Sequence, residues 1–299
     1  MSLSLPMTPA RRAILVIGVP IVLAVIVIGA AGWASGAVTV FARQVTYRVA
    51  VNVPATGGHV SVTAENADIT LGSGAGGQIR VRGILRGSFV RPTFSWQSTA
   101  AGLALHSQCR VPVGVCSLRY AITAPVGLPV AVTDSSANLN ASGLRGTVTL
   151  SDGSGDLGAS GLAGNIRLDD GSGNITASRL TGGIRLDNSS GNITVSGLTG
   201  DLRFQDDSGN VVVNGLAGTD VVGGNSSGNI TLTFTKIPRR VQVTDSSGNI
   251  TLVLPPGGTA YDVIPSNSSG NTAIAVPRNS SSTHVIIVAN QSGNIVVTR

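Results

Sequence analysis

The sequence predicts an all-β fold: a parallel β-helix, or solenoid, with coils of about 18 residues, preceded by one N-terminal transmembrane helix. Three observations predict it. A Ser-Gly-Asn corner recurs at near-constant spacing, apolar residues alternate with period two around each corner, and the composition is that of a chain rich in turns. Glycine (40) and proline (13) are abundant in the 299 residues, while aromatic residues are 3% and charged residues 11%. Glu65 and Lys236 are the single glutamate and lysine. Helices favour those two residue types, and turns favour the Asp and Asn found here instead. A hydrophobic fraction of 42% is too high for a disordered chain, and glycine has no period of three, which excludes collagen.

The corner recurs nine times, centred on Ala137, Gly155, Gly173, Gly191, Gly209, Gly228, Gly248, Gly270 and Gly293, with spacings growing from 18 to 23 residues. Serine precedes the centre in every copy and Asn or Asp follows it. Three residues before the centre stands Asp or Asn again: Asp134, Asp152, Asp170, Asn188, Asp206, Asn225, Asp245, Asn267 and Asn290. Such self-similarity marks a stacked repeat. Around Gly173 the apolar residues are Ile166 and Leu168, then Ile175, Ala177 and Leu180; around Gly191 they are Ile184 and Leu186, then Ile193, Val195 and Leu198. Period two means short strands with one buried face, where a helix would need a period of 3.6. A coil of two short strands cannot bury its own apolar face, so copies must stack and share backbone hydrogen bonds. Stacking turns the Asn and Asp positions into ladders and assigns glycine the positive φ that the corner demands. The regular repeats are expected over 131–299. An irregular β part of the solenoid is expected over 46–130, where HVSVTAENADITL, QIRVRGILRGSF and SLRYAITAP still alternate. Copy nine, Ser292 to Arg299, ends the chain directly after its strand. An uncapped last coil with free edges is therefore expected, open to self-association or to strand addition by a partner.

The N-terminus sets the location. Ala13 to Ala31 is an unbroken apolar run preceded by Arg11 and Arg12, and Trp33 stands where an interfacial anchor would. About 20 residues cross a bilayer, and a signal-peptide core is shorter. The reading is a cytoplasmic tail at 1–12, an uncleaved transmembrane helix at 13–34 and a linker at 35–45. The alternative is a cleaved signal peptide, for which Ala34, Ser35 and Gly36 supply the small residues. The positive-inside rule places the C-terminal domain outside a plasma membrane crossed once. Export to an oxidising compartment makes Cys109 and Cys116, set around a Pro-Val-Gly turn, a structural disulfide.

Few residues stand out for chemistry. Arg167, Arg185 and Arg203 recur every 18 residues between inward positions, so they form an outward column with Asp170, Asp187 and Asp206 nearby. This column is either a solvated face with mutual charge compensation or a strip for an anionic envelope polymer, since Arg matches phosphate and carboxylate. Calcium is not expected: the corners lack the Gly-Gly-x-Gly-x-Asp pattern and most carry uncharged Asn. No catalytic residue, metal site or cofactor is expected. His59, His106 and His284 are far apart in sequence, and no nucleophile elbow or phosphate loop occurs. Despite a net charge of +6, the basic residues read as spread along the chain, with no nucleic-acid-binding motif.

Residues 45–299, through HVSVTAENADITL, AITAPVGLPVAV and the repeated GxIRLDxxSGNIT, resemble the bacterial family known as "putative adhesins", membrane-anchored β domains of unknown function. The resemblance implies a parallel β-solenoid at the cell surface and brings no catalytic residues. Some relatives are similar to accessory parts of envelope-stress systems. The expected function is adhesion or scaffolding in the cell envelope by an exposed solenoid face, with a surface protein or an anionic polymer as partner. The alternatives are a sensor or partner module in envelope stress and, last, a carbohydrate-active enzyme.

Overall fold

A computed structural model of the chain describes residues 44–55, 58–88, 92–99, 102–108 and 116–299. The expected tail at 1–12, the transmembrane helix at 13–34, most of the 35–45 linker and Cys109 lie outside the described residues. Among the described residues there is no helix, hence none long and apolar enough to cross a membrane.

The first strands are β1 (Gln44–Pro54), β2 (His59–Ala64), β3 (Ala67–Gly74), β4 (Gln78–Ser88), β5 (Thr93–Thr99), β6 (Gly102–Gln108) and β7 (Cys116–Pro125). The repeats follow. β8 (Val130–Asp134) and β9 (Leu139–Ser142) flank Ala137, and β10 (Arg145–Asp152) and β11 (Leu157–Ser160) flank Gly155. β12 (Ala163–Asp170) and the first half of β13 (Ile175–Asn188) flank Gly173; the second half of β13 and β14 (Ile193–Thr199) flank Gly191. β15 (Leu202–Asp206) with β16 (Val211–Ala217), β17 (Asp220–Asn225) with β18 (Ile230–Phe234), and β19 (Arg240–Ser247) with β20 (Ile250–Val253) carry the next three corners. β21 (Asp262–Asn267) with β22 (Thr272–Ile274) flank Gly270, and β23 (Val285–Ser292) with β24 (Ile295–Thr298) flank Gly293.

Equivalent strands pair in parallel, with Val148 beside Ile166, Ile166 beside Ile184, and Ile175 beside Ile193. This is the stacked solenoid that the repeat predicts, and its core is a set of buried columns. Leu157, Ile175, Ile193, Val211, Ile230, Ile250 and Ile295 form one, all fully buried. Its neighbour grows along the rod from Ala141, Ala159 and Ala177 through Val195 and Val213 to Leu232 and Leu252. At the far corner Leu144, Leu162, Leu180, Leu198 and Leu216 stack behind it. Where this order breaks, a neighbour compensates: a Cβ on Gly223 would overlap the ring of Phe204, which fills the space that glycine leaves.

The corner glycines are needed for a reason beyond φ. Gly191, Gly209, Gly228, Gly248, Gly270 and Gly293 do have positive φ, between 122° and 151°. More restrictive is the coil next door: a Cβ at Gly173 would overlap the carbonyl oxygen of Gly155, and one at Gly191 that of Gly173. Ala137 fills this corner position without a positive φ, and the residue level with it in the neighbouring coil is also an alanine, Ala67. The opposite corner shows the converse. There Gly143, Gly161, Gly197 and Gly215 take φ of 61–72°, and Arg179 holds the equivalent place at 52°, a conformation strained for any residue with a Cβ.

Both ends of the stack depart from chain order. At the N-terminal end β2 pairs with β6 and β8, and β3 with β7 and β9, so the first coil lies inside and β6–β7 forms the outer layer. That layer is extended by antiparallel strands, β5 on β6, and β4 on β7 with β1 beyond it. At the C-terminal end β19 pairs with β23, and β23 with β21; likewise β20 with β24, and β24 with β22. Copy nine is therefore not the free end expected from its place in the chain. It is inserted between the Gly248 and Gly270 coils, with both of its edges filled.

The true end layer is guarded. Asp262 N–H donates to His284 O and Ser268 N–H to Asn290 O, so alternate residues Val263, Pro265 and Asn267 face away from β23. Pro265 has no N–H to offer there, and Arg278 Nη2 covers the carbonyl of Val263 at 3.1 Å. The backbone of Tyr261 is taken by Pro277 O and Asn279 N–H, each at 2.9 Å. β22 is three residues long.

This order predicts an unusual response to truncation. Removing 285–299 deletes an interior layer and strands β21–β22 without a partner, whereas removing 259–299 leaves a clean end on the Gly248 coil. The shorter deletion should therefore give the lower melting temperature and faster proteolysis of 259–284. Equal or reversed stabilities would contradict the inserted order.

Candidate functional site

Three of the polar columns along the rod carry its corner carboxylates and amides and its arginine pairs, and each is set by strand register. The first faces inward at the corner. Asp134, Asp152, Asp170, Asn188, Asp206, Asn225, Asp245 and Asn290 are all buried, 0–4% exposed. Each accepts a bond from its own corner: Asp170 Oδ1 from Ser172 N–H (3.2 Å) and Gly173 N–H (3.0 Å), and Asn225 Oδ1 from Ser227 N–H (3.2 Å). The two residue types then differ. Asn188, Asn225 and Asn290 donate Nδ2–H to the carbonyls of Gly173, Gly209 and Gly248 at 3.2, 2.8 and 2.8 Å. In the Asp copies the corresponding Oδ2 of Asp152, Asp170, Asp206 and Asp245 is buried without a hydrogen-bond partner. Burial is the main cause that pushes the carboxyls of Asp152 and Asp206 up to about 6; corner N–H groups oppose it. Burial raises Asp134, Asp170 and Asp245 as well.

The second column is exposed. Oδ1 of each residue after the corner centre accepts the backbone N–H of its equivalent in the next coil, and in most steps its Nδ2–H too. Asn174, Asn192, Asn210, Asn229 and Asn249 join this way with Nδ2–Oδ1 distances of 3.0–3.3 Å. The ladder then steps from Asn249 to Asn294 at 3.1 Å, and Asn294 Oδ1 takes Asn271 N–H at 3.0 Å, repeating the inserted order. These positions are used by the stack itself.

The third column is the arginine row. β12, β13 and β15 bring Arg167, Arg185 and Arg203 side by side, as the repeat spacing predicts. The expected carboxylate partners are corrected in part. Asp170 and Asp206 belong to the buried inward column; the partners are Asp169 and Asp187, on the same outward face. Arg167 Nη2 lies 2.9 Å from both Asp169 and Asp187, and Arg185 Nε lies 2.7 Å from Asp187. In the next coil the equivalent of Asp187 is Gln205, so Arg203 has no ion pair among the described residues. Exposed pairs of this kind contribute about 0.2–1 kcal/mol each. The row is charge-compensated at two steps and cationic at the third.

The remaining candidates do not converge. His59 opens β2, His106 lies outward on β6, and His284 contacts Pro238 O through Nδ1 at 2.9 Å. Among the described residues no three His, Cys, Asp or Glu are placed to hold a metal ion. Two shallow depressions of about 260 and 250 Å³ open on the strand faces, one beside Trp96 and His106, the other floored by Gly158 between Ser142, Ser160 and Thr176. Cys116 begins β7, half-buried against the core. One group escaped the sequence reading: Arg48, Arg80, Arg82, Arg86 and Arg119, gathered by antiparallel pairing on one face. The signal for it was the alternation of arginines in QIRVRGILRGSF.

The aspartate column makes stability depend on pH with a definite sign. Raised carboxyls favour the neutral form in the folded chain. The folded state therefore binds more protons than the unfolded one between the ordinary carboxylate range, about 4, and about 6. This contribution is present below about 4, is lost as pH rises toward 6, and stays lost above it. Asp206→Asn supplies the Nδ2–H that Gly191 O lacks, as Asn225 does for Gly209 O. It should stabilise the protein by about 1–2 kcal/mol above pH 6 and remove part of the pH dependence. Urea denaturation of parent and variant on either side of pH 6 checks this; an Asn variant less stable at neutral pH would contradict it.

A solved structure, that of a putative cell adhesion protein from Clostridium sporogenes ATCC 15579, is similar at 10% identity over 85% of this chain and 99% of that chain, with a TM-score of 0.25. No curated protein matches the chain. The family model Toastrack DUF4097 matches residues 59–298. With that span matched, the chain belongs to the Toastrack DUF4097 family, whose fold is a β-solenoid.

Proposed function

We propose that this protein is an extracytoplasmic β-solenoid held at the plasma membrane by the apolar segment 13–34, and that it serves as an adhesin-type binding or scaffold module of the cell envelope, not as an enzyme. The observation that carries the reading is the extent of laddered surface. Eleven layers in register make a rod of about 50 Å whose outward positions repeat at about 4.8 Å, a geometry suited to an extended partner. The recurring carboxylates and amides, which in another setting would suggest a reactive centre, have structural partners here. Within the arginine row, Arg203 is the cation free to meet an anionic envelope polymer. The oxidising side of the membrane also favours the Cys109–Cys116 bridge.

Intact mass of the chain isolated from membranes without reductant tests location and bridge together. The expected mass is that of a chain that retains residues 13–34, less the two hydrogens lost on forming the bridge. A start near residues 35–37 would overturn the anchor, and an unchanged thiol mass the bridge. For the polymer strip, Arg185→Ala with Arg203→Ala should weaken retention of the protein on an immobilised polyanion severalfold more than Arg167→Ala does, because Arg167 is already paired twice. Equal retention of all three proteins would refute the strip.

A further inference from the structure

The basic residues are unevenly placed. Residues 44–129 hold seven arginines against Glu65 and Asp68, whereas residues 130–299 hold ten basic against twelve acidic residues. Five of those seven share one face of the antiparallel sheet at the N-terminal end. Along β4, alternation buries Ile79, Val81 and Leu85 and leaves Arg80, Arg82, Ile84 and Arg86 outside. Register sets Arg48 of β1 and Arg119 of β7 on either side of Ile84, with Arg82 between Ala50 and Ala121, and Arg86 between Thr46 and Ser117. All five arginines are exposed. Their one acidic neighbour among the described residues is Asp68, 3.3 Å from Arg119 at the margin of the face. No two of these arginines are directly opposite, but they crowd diagonal and alternate positions of one face, and an external anion relieves their mutual repulsion.

Position says which anion. Twelve residues separate Ala31, the end of the apolar run, from Gln44, where β1 begins. Even fully extended, that length reaches only about 40–45 Å. The basic face starts two residues into β1, at the row formed by Thr46, Arg86 and Ser117. It is thus the part of the described fold that the chain holds nearest the bilayer. Guanidinium forks match phosphate oxygens. Ile84, 37% exposed amid the arginines, adds an apolar side chain that the headgroup boundary can take up.

We propose that the β1–β4–β7 face is a membrane-docking surface that seats the N-terminal end of the solenoid on anionic lipid headgroups of the bilayer carrying the anchor. The proposal rests on the anchor read in residues 13–34. Docking adds a second, salt-sensitive contact to that tether and fixes the angle at which the rod leaves the membrane.

Arginine footprinting on the full chain tests it. The protein is reconstituted in nanodiscs of neutral phosphatidylcholine alone or with about one-third phosphatidylglycerol, and phenylglyoxal modification is followed by mass spectrometry. Arg48, Arg80, Arg82, Arg86 and Arg119 should react on the order of tenfold more slowly on the anionic discs. Arg203 and Arg240, out on the solenoid, should react equally on both, and high salt should abolish the difference. Arg80→Ser, Arg82→Ser and Arg86→Ser together should weaken docking on the order of a hundredfold, read at Arg48 and Arg119. The same three changed to Lys should restore the protection, which a mere folding defect would not permit. Equal rates on neutral and anionic discs would overturn the proposal, as would protection of the five by soluble polyphosphate but not by anionic discs. Retention of the chain in neutral vesicles after alkaline washing reports the anchor separately from the docking.

Discussion

The structure depends on how closely one backbone can lie on another. Parallel coils are spaced at about 4.8 Å. At the corner this brings the carbonyl of one glycine to where the next glycine would carry a Cβ. Everything else in the repeat follows from keeping that approach identical in coil after coil. The Asn or Asp before the glycine recurs because it accepts the N–H groups of the corner, and the one after it because it bonds to its equivalent in the next coil. The strands on either side inherit their register from the corner, and with it the mainly aliphatic columns of the core. Gly223 beside Phe204 shows the tolerance of this arrangement: volume can move between neighbouring coils along a column, but the corner backbone cannot.

The polar columns express the same constraint. Inside the corner a side chain must accept N–H groups of its own turn, which Asp and Asn do equally well. It also faces the carbonyl of the coil before it, where Asn donates at any pH and Asp only when protonated. The chain mixes the two, and Asn188, Asn225 and Asn290 separate Asp206 and Asp245 from other buried charges. Outside, the asparagine ladder bonds to itself, and the Arg–Asp pairs of the third column compensate each other. What is left to meet a partner comes from departures from the repeat: Gln205 in place of an aspartate, and the antiparallel arginine face at the N-terminal end.

Much of this was legible in the sequence. The corner spacing identified the coils, and period two identified the inward positions, because a stacked fold applies the same local rule many times over. The three-arginine column was legible for the same reason. The order of the last two coils was not: DVIPSN and VIIVANQS both read as a first strand, and chain order is the natural assumption. Pro265 was the available signal, since proline inside a strand marks an edge and Val285–Ser292 carries none. The carboxylate partners were misassigned because Asp169 and Asp170 are neighbours in sequence but lie on opposite sides of the sheet. The basic face was hidden because a net charge and a linear spread say nothing of which arginines antiparallel pairing will align.

The inserted coils also bear on when this molecule can be complete. A chain made from its N-terminus could add coils one by one up to the Gly248 corner, each closing on the last. The segment that follows has nowhere to go: among the described residues β21 and β22 find their only strand partners in β23 and β24, which come later in the sequence. Residues 285–299 are thus a keystone, and the distal end of the rod stays open until they are in place. A prematurely ended chain would bear that unfinished end as a visible mark, separable from the mature protein by any protease or chaperone that recognises unpaired strands.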